Sequence, residues 1–154
     1  MTQLIQIVPT LPPSIGGVGD YAHCLAVQLA QNFQLKTHFL VSGQTRLGDF
    51  YDQRYTANAI DCTKTALLEK LDTCSDSTSV VLLHYVGYGY SKYGTPTWLI
   101  DGLNTWKRKY PSARLVTMFH EIAASGPPWK RAFWSSGMQK HLAKRLVQTS
   151  DRIL

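Results

Sequence analysis

A chain of 154 residues, 44% apolar and 17% charged, has the size and composition of one soluble domain able to bury a core. No run approaches the roughly 18 apolar residues of a membrane span. The N-terminus has no basic segment leading into an apolar one, so no secretory signal is read. The net charge is +6, unevenly placed: residues 1–106 hold six Lys/Arg against eight Asp/Glu, and residues 107–154 hold ten against two. That asymmetry fits either an anionic partner or a solvated basic face. Nucleic acid is the weaker partner, because no stacking platform interleaves the charges and no nucleic-acid module is visible. Cys24, Cys62 and Cys74 are odd in number, widely spaced and form no C-x-x-C pair. They read as free thiols of a reducing cytoplasm.

In chain order, apolar runs alternate with helical patterns, which predicts βαβ units around a parallel sheet. Leu4–Val8 reads as the first strand and the Pro-containing stretch 9–15 as a loop. A helix is expected over about 18–31, with a stripe at Tyr21, Cys24, Leu25, Gln28 and Leu29. A second strand follows over 35–41, then a polar loop over 42–55 and a short strand near Ala59–Ile60. Residues 63–71 read as a helix. The continuous apolar run from Val80 to Tyr85 is expected to be a buried central strand, followed by a Gly- and Tyr-rich loop over 86–94. Thr95 and Pro96 predict a helix with a capping side chain and Pro at its first position. Trp98, Leu99, Leu103 and Trp106 lie on one face of it, and Pro111 ends it. Residues 113–119 read as a strand and 120–128 as a loop. Ser135 or Ser136 is expected to cap a basic helix reaching Val147, with Met138, Leu142 and Leu146 in a stripe. Arg152-Ile153-Leu154 looks like a further strand beginning, as in a chain cut from a longer protein.

The stretch Gly16-Gly17-Val18-Gly19-Asp20-Tyr21-Ala22 carries the strongest local signal. Glycines between a strand and a helix N-terminus allow a backbone to approach a phosphate or sugar, where unpaired N–H groups favour an anion. Gly17-x-Gly19-x-x-Ala22 formally matches the dinucleotide fingerprint, but eight residues separate Val8 from Gly17. The fingerprint requires its first glycine directly after the strand, and an acid at the end of the second strand. Here that strand ends Leu40-Val41-Ser42. A P-loop is excluded because no Gly-Lys-Ser/Thr follows. The glycine loop is therefore either the cover of a ligand at the C-terminal edge of the sheet or a tight helix-opening turn.

His120-Glu121 falls at the same edge. It is not a zinc motif, since H-E-x-x-H requires His where Ala124 stands. His120 is a candidate to bind a hydroxyl or move a proton near neutral pH, or else a satisfied loop histidine. His84-Tyr85 lies at the equivalent end of the central strand and is either a ligand contact or core. Tyr88, Tyr90 and Tyr93 form either an aromatic sugar-binding wall or the packing of their own loop. Trp129, Phe133 and Trp134 read first as packing of the following helix.

Taken as an ordered set, these pieces resemble the N-terminal domain of a GT-B-fold retaining glycosyltransferase of the group-1 (GT4-like) family. The residues that carry the resemblance are Gly16 to Tyr21, His84 to Tyr90, Gly94 to Leu99, Phe119-His120-Glu121, Gly126 to Trp129 and Ser150 to Leu154. The resemblance implies a single Rossmann-like α/β domain over 1–154, a parallel sheet sandwiched by helices. It would be the acceptor-binding half of an enzyme that moves a sugar from a nucleotide-sugar donor to a glycan or lipid-linked acceptor. The donor-binding C-terminal domain, with its E-x7-E motif, would be absent, and this chain alone inactive. No metal or cofactor is implied. Carried over by position, Gly16, Gly17 and Gly19 would lie near the donor diphosphate and His120 would be the catalytic contact. His84, Tyr85, Tyr88, Glu121 and Trp129 would border the acceptor. Lys130, Arg131, Lys140, Lys144 and Arg145 would face an anionic membrane surface from the cytoplasm. The alternative of a different class is a non-catalytic α/β module that binds a sugar, a nucleotide or a protein.

Overall fold

The computed structural model describes residues 4–43, 55–123, 129 and 131–154, without the side chains of 131–133. Its strands and helices follow from the alternation of apolar runs and helical patterns. The order is β1 (Leu4–Val8), α1 (Gly17–Phe33), β2 (Thr37–Val41), β3 (Tyr55–Ala59), α2 (Lys64–Cys74), β4 (Val80–Val86), α3 (Gly87–Tyr90), α4 (Thr97–Lys109), β5 (Arg114–Glu121), α5 (Arg131–Thr149) and β6 (Arg152–Ile153). The six strands form one sheet in the order β3-β2-β1-β4-β5-β6, parallel throughout. This is the α/β, Rossmann-like architecture expected from the sequence, and it puts the reversal of strand order between β1 and β4. Crevices at such reversals are where open α/β sheets bind ligands.

Alternation along the strands divides the core in two. Ile5, Ile7, Leu40, Val81, Leu83, Tyr85 and Leu115 face a cluster completed by Leu67 and Leu71 of α2, Leu99, Leu103 and Trp106 of α4, and Leu142 and Leu146 of α5. Val8, Phe39, Val41 and Tyr55 face Ala22 and Ala26 of α1. Burying one large aliphatic or aromatic side chain is worth about 1.5–3 kcal/mol, so the first cluster dominates. Trp106 is fully buried, and its indole N–H donates to Ser75 Oγ at 2.9 Å. Among the described residues no helix is long and apolar enough to cross a membrane.

Several elements differ from their expected form. The buried face of α1 is Gly19, Ala22 and Ala26, rotated from the expected stripe; Tyr21 and Cys24 are exposed. Small residues let α1 sit close on the sheet, and hydrophobic periodicity alone does not weigh closeness. The helix after Thr95 begins at Thr97, with Pro96 at the cap and no side-chain cap bond. Ser135 and Ser136 lie inside α5 and do not cap it. Residues 120 and 121 extend β5, because Glu121 pairs with Val86 across an irregularity in the β4–β5 register.

The basic C-terminal third is partly tied up in the fold. Lys107 Nζ reaches Asp151 at 2.8 Å, Arg114 reaches the same carboxylate at 3.5 Å, and Lys109 meets Asp72 at 2.7 Å. Arg145, expected at an anionic surface, bonds Asp101 of α4 at 2.7 Å. Lys140 and Lys144 are exposed on α5. Lys130 lies outside the described residues, as does the side chain of Arg131.

Candidate functional site at the sheet edge

Three side chains on neighbouring strands and one from α1 meet at the β1–β4 reversal. Gln6 of β1 and His84 of β4 point to the α1 face and are fully buried. His84 Nε2 lies 2.7 Å from Gln6 Oε1, and His84 Nδ1 lies 3.1 Å from His120 Nε2 of β5. The two imidazoles stack with centroids 5.4 Å apart and planes 22° apart. Tyr21, at the start of α1, meets both rings edge-on at 6.0 and 5.7 Å. His120 itself is exposed.

The hydrogen bonds assign the protons. Gln6 Oε1 only accepts, so His84 Nε2 carries the hydrogen and Nδ1 becomes an acceptor. His120 Nε2–H then donates to His84 Nδ1. Neutral His120 is left with Nδ1 as a lone-pair acceptor. Burial, with His120 as a lesser contributor, pushes the His84 pKa down to about 4. Burial also lowers that of His120. Both rings are therefore neutral at pH 7, and the buried pair holds the exposed ring in one tautomer. Gln6 Nε2 is buried with no partner among the described residues, so Gln6 is held for its contact with His84 and not for a satisfied amide.

The glycine loop adjoins this group through Tyr21, but its glycines differ in purpose. A Cβ on Gly19 would run into the Thr10 carbonyl oxygen, and one on Gly16 would lie 3.0 Å from Thr10 Oγ1. Gly19 thus lets the 9–16 loop fold down on α1. Only Gly17 faces open space, with nothing within 4 Å of a Cβ. The cap residue Gly16 has no side chain to bond the first turn, where helix N–H groups favour an anion.

The segment after β1 departs from the dinucleotide fingerprint. Eight residues separate β1 from α1, and Ser42, not an acid, follows β2. Gly43 N–H donates to Pro9 O at 2.6 Å, and a Cβ at Gly43 would strike that carbonyl. The loop after β1 thus closes against the end of β2. Among the described residues no group of three His, Cys, Asp or Glu could hold a metal ion.

The remaining expected residues do not join the histidines. Tyr85 is fully buried on the opposite face, packed on Phe119 at 5.3 Å. Its neighbour in sequence, His84, takes the site face, so the strand's alternation separates the pair. Tyr88 lies in α3 and its hydroxyl accepts from Gln139 Nε2 at 3.2 Å. Of the two readings open for Tyr90, aromatic wall or packing, its burial fits packing: its hydroxyl lies 3.0 Å from Ile7 O and 2.8 Å from His84 O. Glu121 is exposed at the end of β5, and Trp129 is 83% exposed. Gly126, Pro127 and Pro128 lie outside the described residues. Sequence reading missed Gln6 and Gln139, both buried amides inside apolar patterns. Gln6 interrupts Leu-Ile-x-Ile-Val, and that polar break in a buried strand was the available signal.

No family model matches the chain, and no curated protein matches it. Solved structures do. A nucleoside-diphosphate-sugar epimerase from Agrobacterium tumefaciens superposes with a TM-score of 0.57 at 16% identity, over 99% of this chain and 51% of that one. A UDP-N-acetylglucosamine 4-epimerase from Bacillus cereus superposes with a TM-score of 0.50, also at 16% identity, over 94% of this chain and 50% of that one. The likeness is one of fold, and this chain spans about half the length of both. These neighbours overturn the resemblance to a group-1 glycosyltransferase, and with it the role of an acceptor domain in a GT-B enzyme. The physical reason lies in the residues that carried the resemblance. Gly19 serves loop packing, while Tyr85 and Tyr90 are core. Gly94, at φ 69°, makes room for Gln139 and Tyr88. They are requirements of this Rossmann-like domain and do not single out one family.

Proposed function

We propose that this chain is the sugar-nucleotide-binding domain of an enzyme that alters a sugar while it is attached to its nucleotide. The observation that carries the reading is the Gln6–His84–His120 line, which opens to solvent beside the first turn of α1. A diphosphate suits that turn, where Gly17 leaves room and the N–H groups and helix dipole favour an anion. A sugar hydroxyl then suits His120 Nδ1, which accepts its hydrogen bond or its proton. The fold neighbours are by name a nucleoside-diphosphate-sugar epimerase and a UDP-N-acetylglucosamine 4-epimerase, which supports the ligand class. Asp20 in the first turn opposes the diphosphate charge and limits affinity.

Calorimetry with UDP-glucose, UDP and glucose tests the reading. UDP-glucose binds more tightly than UDP, and glucose alone does not bind measurably. His120→Gln lowers UDP-glucose affinity about tenfold, the loss of one good hydrogen bond, and leaves UDP affinity unchanged. Absence of binding by either nucleotide at millimolar concentration overturns it. We place the protein in the cytoplasm, with Lys140 and Lys144 available to an anionic surface.

A further inference from the structure

A second concavity lies away from the histidines, between the segment after β4 and α5. It encloses about 540 Å³ and is lined by Tyr88, Lys92, Tyr93, Trp134 and Ser135. That volume falls within the range of small-ligand sites. Three aromatic rings stand open to solvent in it: Tyr88 is 42% exposed, Tyr93 50% and Trp134 76%. Solvent-exposed aromatics gathered from two separate elements usually mark a binding surface.

The wall is a built one. Gln139, 2% exposed, places Nε2 3.0 Å from Tyr93 O and 3.2 Å from both Tyr88 Oη and Ser135 Oγ, three acceptors for its two hydrogens. One buried amide thus fixes both sides of the cleft to each other. Gly94 takes a positive φ of 69°, and a Cβ there would lie 2.6 Å from Gln139 Nε2 and 3.1 Å from the Tyr88 ring. The turn into α4 is shaped so that this amide and this ring can meet. Lys92 Nζ stands 5.8 Å from the centre of the Tyr93 ring. None of the described ion pairs engages Lys92. Lys92 is the cation in the lining.

We infer that this cleft binds a carbohydrate bearing a carboxylate. A pyranose ring has an apolar C–H face that stacks on aromatic planes, which suits the largely apolar, aromatic lining of this cleft. The Lys92 ammonium over the Tyr93 ring, engaged by none of the described ion pairs, adds the attraction for a negative substituent. The site is separate from the sugar-nucleotide reading: it uses none of Gln6, His84, His120 or the glycine loop.

The test uses the whole chain, with a glucuronate-containing tetrasaccharide and neutral maltotetraose as probes. Binding is read by tryptophan fluorescence and by saturation-transfer NMR. The acidic tetrasaccharide binds at least fivefold more tightly than the neutral one. Trp134→Ala and Tyr93→Ala, both at exposed positions, each weaken it tenfold or more with unchanged circular dichroism. Lys92→Gln removes the preference for the acidic probe. His120→Gln leaves this binding unchanged, which separates failure here from failure of the sugar-nucleotide reading. No binding of the acidic probe at millimolar concentration, equal binding of both probes, or insensitivity to Trp134→Ala and Tyr93→Ala overturns the inference.

Discussion

His84 Nδ1 and His120 Nε2 lie 3.1 Å apart, one ring fully buried and the other exposed. Two neutral imidazoles at that distance share one proton, and Gln6 behind His84 decides which nitrogen carries it. The exposed histidine is consequently not a free surface ring. Its orientation and tautomer are set from inside the sheet.

Protonating His84 has a cost in stability. Its pKa is about 4 in the folded protein, against an ordinary 6.5, so the unfolded chain binds the proton first as pH falls. The stabilisation is complete above pH 6.5 and is lost progressively down to about pH 4, amounting to roughly 3 kcal/mol. Urea unfolding at several pH values checks this. His84→Gln flattens the profile across that window.

Gly17 and Gly19 respond oppositely to alanine. Gly19→Ala pushes a methyl into the Thr10 carbonyl, backbone that cannot swing away, and costs about 1–3 kcal/mol. Gly17→Ala meets open space and gains up to about 1 kcal/mol from helix propensity. Thermal unfolding of the two variants side by side reads the difference.

Tyr90→Phe weakens the junction of β1 and β4. The hydroxyl's single hydrogen lies between the carbonyls of Ile7 and His84 in the interior, and its loss costs about 1–3 kcal/mol. Amide exchange at the ends of these two strands rises in the variant more than exchange in β2.

Asp20→Asn removes the one acidic side chain in the first turn of α1. Affinity for UDP-glucose rises about two- to threefold at low salt, and the gain shrinks as salt screens the charge. Calorimetry at two ionic strengths checks it.

Much of the fold is legible in the chain, because β1 and β4 are apolar runs broken only by Gln6 and His84, and α4 has a clean stripe of Leu99, Leu103 and Trp106. α1 is less so: its contact face is Gly19, Ala22 and Ala26, and small residues give almost no hydrophobic periodicity. His84 and His120 are visible as candidates, but their meeting is not. They are 36 positions apart, and only the β4–β5 register brings them together. Tyr85 and Tyr90 show the reverse case. Each is open in the sequence to two readings, ligand contact or packing, and alternation along β4 and the turn of α3 carry both into the interior. The family resemblance rested on such residues taken in order. Their order reflects demands of strand–loop–helix geometry that Rossmann-like domains share.

The proposed sugar-nucleotide site lies where the first turn of α1 meets His120. The most direct measurement is an NMR titration with UDP-glucose, following backbone amides and the imidazole nitrogens together. The expected result is that the amides of Gly17, Val18 and Gly19 and the Nδ1 resonance of His120 shift along one saturating isotherm, while amides of α5 stay in place. Saturation with those signals unmoved, or no shift anywhere at millimolar ligand, would contradict it.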